Sequence, residues 1–375
     1  MHRNLNTVCA HAGTEIIEES GAVTAPLYFS TTFRYTPTGQ APFGNTYSRE
    51  GNPTRNMLEK VLAEMECGVA AAAFSSGSAA AQATFQSMNP GDHIIVNNRI
   101  YAGVRTMLMD VFIPWGLEVS FIDLTVLENL EKAIQPNTKL VWTETPTNPD
   151  LKIIDIKAIS NICKPLQIKL AIDNTFASPF LQQPILLGAD LVMHSTTKYL
   201  GGHSDLTSGA LITAEINEWW QKIVHIQKIL GAVSAPFDCW LLMRGIRSFV
   251  PRMKMQVENA HQIALFLEKH QSVEQVLYPG LTSHQGHDIA AQQMNDFGAM
   301  ISILIKGGKI NAIEMLKKLK LFSNATSLGG TESLAEHRQS VEGPLSTTPD
   351  NLIRLSIGLE NIEDLIADLT QALAF

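Results

Sequence analysis

Between about residue 54 and residue 215, short apolar runs alternate with longer stretches in which apolar residues recur at helical spacing. The runs are Val69–Phe74, His93–Asn97, Glu118–Ile122, Lys139–Thr143, Lys169–Asp173, Asp190–His194 and Gly209–Thr213. They are apolar on both faces, and each is followed by a turn or a helix-competent segment. This pattern predicts a mostly parallel seven-stranded sheet with helices on both faces, an α/β fold. Asp173 and His194-Ser195 fall at C-terminal strand ends, the edge where open α/β sheets place their ligands.

The flanking regions read differently. Residues 1–53 are rich in Thr, Gly, Pro and aromatics with no sustained period, which predicts an extended arm without a core element. From about residue 250 a long helical stretch (Pro251–His270) precedes a strand-like Gly298–Ile305, a helix near Ala312–Leu319, a loop, and a closing helix from Asn361. The expected organisation is an arm over 1–53, a large domain over 54–249 and a smaller C-terminal α+β domain over 250–375.

Composition narrows the function classes. Hydrophobic residues make up 45% and charged residues 17% of the 375 positions, an ordinary globular balance. A formal net charge of −8 argues against a nucleic-acid or anionic-membrane partner. Cys9, Cys67, Cys163 and Cys239 are far apart and form no C-x-x-C pair, so no metal knuckle or redox dithiol is expected. No apolar leader and no run of about 18 apolar residues is visible, so a cytoplasmic protein is expected.

The densest chemical signal runs from His194 to Asp205, where Lys198 follows a strand end with Ser195 and Thr197 close before it. Such a lysine attacks a carbonyl only when burial or neighbours lower its pKa. Taken alone, a lysine after a strand is commonly a solvated charge. The same residues match S-x-x-K of penicillin-binding hydrolases, but Ser204-Asp205-Leu206 breaks the required S-D-N and no K-T-G occurs. Asp173 is a candidate partner for a pyridinium nitrogen, or simply a turn cap. Ser75-Ser76-Gly77-Ser78 joins a strand to a helix and offers backbone donors to a phosphate, or simply makes a capped turn.

Together these pieces resemble the Cys/Met metabolism, or trans-sulfuration, family of fold-type-I pyridoxal-phosphate enzymes, whose fold is that of the aspartate aminotransferases. The matching stretches are Thr46 to Thr54, Glu144-Thr145-Pro146-Thr147-Asn148-Pro149, Asp173-Asn174-Thr175, His194 to Asp205, Ser327 to Leu334 and Ile353-Arg354-Leu355-Ser356. The resemblance implies that Lys198 holds pyridoxal 5'-phosphate covalently and that Asp173 faces its ring nitrogen. It assigns the phosphate to the backbone of Gly77 and Ser78 and the hydroxyls of Ser195 and Thr197. Tyr101 would stack on the ring and serve as the acid for a leaving thiol. Arg354, with Ser327 and Asn148, would clamp the substrate α-carboxylate. Tyr47 and Arg49 would reach the cofactor of a neighbouring subunit, in a homotetramer built from dimers with shared sites.

The first expectation for activity is a cystathionine γ-lyase, releasing cysteine, 2-oxobutanoate and ammonia. The alternatives are a cystathionine γ-synthase, then a methionine γ-lyase or cystathionine β-lyase, and, from another class, an aminotransferase. The positions that tell these apart are atypical. Thr46 and Thr326 stand where γ-lyases tend to be acidic, and Thr106 stands where a distal arginine is common, with Arg105 beside it. Gly103 replaces a cysteine favoured by methionine γ-lyases. After His337 the usual H-P-x-x-M-T-H run is replaced, and Arg338 and Glu342 there are expected to be solvated loop charges rather than groups at the site entrance.

Overall fold

The structure is a computed structural model that describes residues 3–14, 21–343 and 346–375. Parts of the expected arm (1–2 and 15–20) and of the loop after His337 (344–345) lie outside the described residues. All seven expected strands form, each within one residue of its expected ends: β1 (Ala70–Phe74), β2 (His93–Asn97), β3 (Glu118–Ile122), β4 (Thr138–Glu144), β5 (Lys169–Asp173), β6 (Leu191–His194) and β7 (Gly209–Thr213). Their order is β1-β7-β6-β5-β4-β2-β3. The pairings from β3 to β6 are parallel, while β7 runs antiparallel to both β1 and β6.

The apolar runs are double-sided because the sheet has a core on each face. Along β4, Leu140 and Trp142 point into a cluster with Phe74, Phe85 and Trp220, while Val141 points into another with Ile95, Ile159 and Ile172. That alternation is the two-residue period of an extended chain. The C-terminal ends of the parallel strands all open on one edge, which carries Glu144, Asp173 and His194.

A second sheet contains β8 (Val273–Leu277), β9 (Met300–Ile305), β10 (Ser323–Asn324), β11 (Leu334–His337) and β12 (Leu352–Ser356), in the order β10-β11-β12-β9-β8. Of these, the apolar pattern pointed to β9 alone. Strands β11 and β12 are short, and each carries charge inside it: Glu336 on β11 and Arg354 on β12. These two residues are direct cross-strand partners in an antiparallel register, so their side chains share one face.

The expected arm without a core element needs correction at its start. Leu5–Ala10 is a helix, and Val8, Cys9 and Ala12 are buried in the main core with Leu58, Leu62 and Met253. Leu5, Val8, Cys9 and Ala12 sit at i, i+3, i+4 and i+7, one helical face that is too brief to stand out as a period. That core runs without interruption from the first helices to Ile301 and Ile353. Among the described residues, no helix is long and apolar enough to cross a membrane.

A buried polar lock ties the ligand edge to the helix Pro53–Met65. Glu66, which caps that helix, accepts at Oε1 from Asn174 Nδ2 at 2.7 Å and lies 2.5 Å from His194 Nε2. Both Glu66 and His194 are almost fully buried. Glu66→Ala therefore leaves one Asn174 amide hydrogen and the His194 imidazole Nε2 without an acceptor or partner, and is expected to cost about 3 kcal/mol. The check is a lowered thermal unfolding midpoint against the parent chain.

Candidate active site

A cavity of about 300 Å³ lies at the C-terminal strand edge, closed on one side by residues of the second sheet. Gly77, Ser78, Tyr101, Asn148, Asp173, Ser195, Thr197, Lys198, Ser327 and Arg354 all line it. The structure thus brings together every expected site residue except Tyr47 and Arg49. Those two lie elsewhere: Arg49 sits 5.6 Å from the Tyr47 ring centroid, donates to the Lys228 carbonyl at 2.7 Å and pairs with Glu50.

Lys198 stands at the centre. Its Nζ donates to Ser327 Oγ at 2.7 Å. Burial, with the nearby Arg354 charge, pushes its pKa down to about 8, against the opposing pull of Glu336. Near pH 8 a large fraction of the amine is therefore neutral and nucleophilic. Ser327 holds a φ of 102°, a conformation L side chains rarely adopt, which suits a residue pinned from two sides. Its hydroxyl meets Lys198 and its carbonyl meets Arg354.

One end of the cavity is built to take an anion. The helix Gly77–Gln86 begins there, and its N-cap Ser76 accepts from Ala79 N–H. The first N–H groups of the helix have no intrahelical acceptor, and the dipole end favours negative charge. A Cβ at Gly77 would lie 2.8 Å from Ser195 Cβ, so glycine lets these two segments close around the same point. Thr197 departs from expectation in detail: its hydroxyl donates to the Ser208 carbonyl and accepts from the Ser208 N–H, both at 3.0 Å. To serve an anion, that hydroxyl would have to give up its bond to the carbonyl.

Asp173 lines the cavity beyond the lysine. Its Oδ1 accepts from both the N–H and the hydroxyl of Thr175, at 3.0 and 2.5 Å. Burial raises its pKa, and the Thr175 bonds and the charge of His194 oppose the rise. Thr175 also accepts from Ser195 N–H, so one hydroxyl sets both the carboxylate and the end of β6.

Glu144, at the end of β4, had no role in the sequence reading. Its carboxylate accepts the backbone N–H of Tyr101 at 3.0 Å and of Asn148 at 2.7 Å, and so positions both. Burial, then the nearby Asp173, raises its pKa well above the carboxylate range. Its place at the head of the E-T-P-T-N-P run was the available signal. Tyr101 is half-exposed at the cavity mouth. A Cβ at Gly103 would come within 2.5 Å of its ring, so glycine there leaves the phenol this position.

Arg354 is buried and held by three polar partners. Nη1 donates to Asn148 Oδ1 at 2.9 Å, and Nη2 donates to the Ser327 carbonyl at 3.0 Å and pairs with Glu336. Among the distal positions, Thr326 lines the cavity but Thr46 and Thr106 do not. Arg105 lies over the Phe121 ring at 4.4 Å and is not a lining residue. Arg338, expected to be solvated, is 4% exposed and lines the cavity. Among the described residues there is no cluster of three or more His, Cys, Asp or Glu placed to hold a metal ion.

A depressed lysine, a helix N-terminus flanked by hydroxyls, a buried carboxylate and a guanidinium around one cavity suit an aldehyde cofactor with a phosphate and a ring nitrogen. Pyridoxal phosphate has those three handles, so the donor set fits it. The protein is a pyridoxal-phosphate enzyme. It belongs to the Cys/Met metabolism PLP-dependent enzyme family, whose pattern matches residues 6–374.

The chain is 46% identical to a cystathionine γ-synthase of Mycobacterium leprae (strain TN), over 98% of this chain and 96% of that one. It is 45% identical to a cystathionine β-lyase of Lactococcus lactis subsp. cremoris, over 99% of each. A crystal structure of cystathionine γ-lyase from Lactobacillus plantarum complexed with L-serine superposes with a TM-score of 0.94 at 39% identity, covering 99% of both chains. The comparisons agree on trans-sulfuration chemistry and name three different reactions.

The lowered lysine pKa predicts how the apoenzyme takes up its cofactor. The amine must be neutral to react, so the rate of recombination with pyridoxal phosphate should rise through about pH 8 and level off above it. In Arg354→Met a charge that lowers the lysine pKa is gone, and the rise should move to higher pH. Visible absorbance against pH measures both.

Proposed function

We propose that the chain acts at the γ-carbon of a homoserine-derived amino acid and joins it to cysteine, the reaction of a cystathionine γ-synthase. The observation that carries this reading is the pairing of the carboxylates around the cavity. Glu144 accepts two backbone N–H groups, and Glu336 is shared by two guanidiniums. Among the described residues, Glu144 and Asp173 are the carboxylates that line the cavity, and neither is left over to hold the distal ammonium of cystathionine. A lyase gains by gripping that group, whereas a synthase must let it go as product. The γ-lyase expected from the sequence is the second reading, since the same residues near the lysine would serve elimination.

Lys198 would hold the cofactor, and its Nζ, when free, would take the proton from the substrate α-carbon. When bound, pyridoxal phosphate supplies the electron sink for charge developing at that carbon. Asp173 would hold a proton at the ring nitrogen, and the N-terminus of the helix Gly77–Gln86, with Ser195, would hold the phosphate. Arg354, steadied by Asn148 and Ser327, grips the α-carboxylate through parallel hydrogen bonds and so orients the α-proton toward Nζ. The γ-acyloxy group would leave as a carboxylate that needs no proton, and Tyr101, held by Glu144 at its backbone, would take the proton of the incoming cysteine thiol at the mouth.

The outward positions of Tyr47 and Arg49 support a role for them in a neighbouring subunit's site, within a tetramer of two such dimers. Large apolar side chains exposed in the same region, Phe29, Phe43 and Phe237, support that assembly.

The test is to offer the holoenzyme O-acylhomoserine with cysteine, and separately cystathionine alone, and to identify products by mass. Cystathionine formed only when both partners are present supports the synthase. Rapid release of 2-oxobutanoate and cysteine from cystathionine, with no condensation, supports the lyase instead. Lys198→Ala should lose the visible absorption of the bound cofactor and at least about a thousandfold in turnover.

A further inference from the structure

The charged cluster after His337 has no part in the roles above. Arg338 Nη1 donates at 2.8 Å to Glu336 Oε1, the same oxygen that pairs with Arg354 Nη2. Arg338 Nη2 donates at 2.9 Å to Glu342 Oε1. The other oxygen of Glu342 accepts from the hydroxyls of Ser346 at 2.5 Å and Thr348 at 2.7 Å. Burial alone would raise the Glu342 pKa. Those hydroxyls and Arg338 outweigh it and hold the group below the carboxylate range. The loop thus fixes Glu342, Glu342 fixes Arg338, and Arg338 reaches Glu336 beneath the cavity.

Arg354 presents a donor count that matters here. Both hydrogens of Nη2 are taken, by Ser327 and by Glu336, and one of Nη1 is taken by Asn148. Either parallel pair, Nη1/Nη2 or Nε/Nη2, needs an Nη2 hydrogen, so a ligand carboxylate competes with Glu336 or with the Ser327 carbonyl, and of the two Glu336 already has a second guanidinium. If Glu336 were released with no other partner, a carboxylate would be left buried and unpaired, which is strongly unfavourable. Arg338 removes that obstacle because it already holds the same oxygen.

We infer that Arg338 is a positioning residue that keeps Glu336 neutralised when Arg354 turns from Glu336 to the carboxylate of an incoming amino acid. This rests on the reading of Arg354 as the α-carboxylate clamp. Two further atoms give the exchange room: Arg338 Nε and Glu336 Oε2 are both buried without a hydrogen-bond partner, a spare donor and a spare acceptor in one cluster. The ligand brings in the negative charge that Glu336 withdraws, so Arg354 stays paired throughout. An amine without a carboxylate has nothing to exchange.

The experiment titrates the holoenzyme with glycine, which has the α-carboxylate but no γ-carbon, and follows the visible absorption of the bound cofactor. Methylamine, which lacks the carboxylate, is the control. In Arg338→Met, Glu336 rests on Arg354 alone, and the apparent glycine affinity should fall at least about tenfold while methylamine changes less than about twofold. The double variant Glu336→Gln/Arg338→Met removes the competitor and should bring glycine back to within about threefold of the parent. A merely structural arginine would not be rescued that way.

Unchanged glycine affinity in Arg338→Met, or a double variant as weak as the single one, overturns the inference. Should Arg338→Met not fold, Glu336→Gln alone decides: tighter glycine binding supports the exchange, and unchanged or weaker binding overturns it. Arg354→Met tests the parent reading separately. If that variant still prefers glycine to methylamine as the parent does, Arg354 is not the clamp, whatever the Arg338 variants do.

Discussion

A single buried guanidinium, Arg354, is the constraint on which the site depends. It is almost completely out of water, and a charge there persists only if it is paired and hydrogen-bonded. The antiparallel register of β11 and β12 supplies the pair by setting Glu336 opposite Arg354. The E-T-P-T-N-P turn supplies Asn148, and the strained backbone at Ser327 supplies a carbonyl. Three remote stretches of chain are thereby tied to one planar group, joining the second sheet to the ligand edge of the first.

The same charge acts on the lysine. Burial lowers the Lys198 pKa and Arg354 lowers it further, while Glu336 pulls the other way. Arg354 therefore has two effects that are usually discussed apart: it offers a grip for an anion and keeps the neighbouring amine reactive.

Much of this was legible in the sequence, and the reasons differ by region. The seven strands of the large sheet are buried on both faces, so their apolar runs stand out and their ends are found to within a residue. Lys198, Asp173, Gly77 and Arg354 each sit in a local motif, and the fold brings them to one cavity. The missed features are those whose meaning lies in pairing between distant segments. Strands β11 and β12 are short and carry Glu336 and Arg354 inside them, which breaks the apolar signature. Arg338 reads as a solvated charge because a loop sequence shows neither its bond to Glu336 nor the Ser346 and Thr348 hydroxyls that fix Glu342. Leu5–Ala10 escaped because a single helical turn and a half shows no period. In the reading proposed above, the choice between synthase and lyase is hidden for a related reason: it rests on which carboxylates already have partners.

The most direct test is a crystal structure of the holoenzyme with glycine bound. The account predicts a glycine carboxylate on Arg354, with Asn148 and Ser327 still in place and Glu336 held by Arg338 alone. A glycine carboxylate bound elsewhere, or an Arg354 that keeps Glu336 while glycine occupies the site, would contradict it.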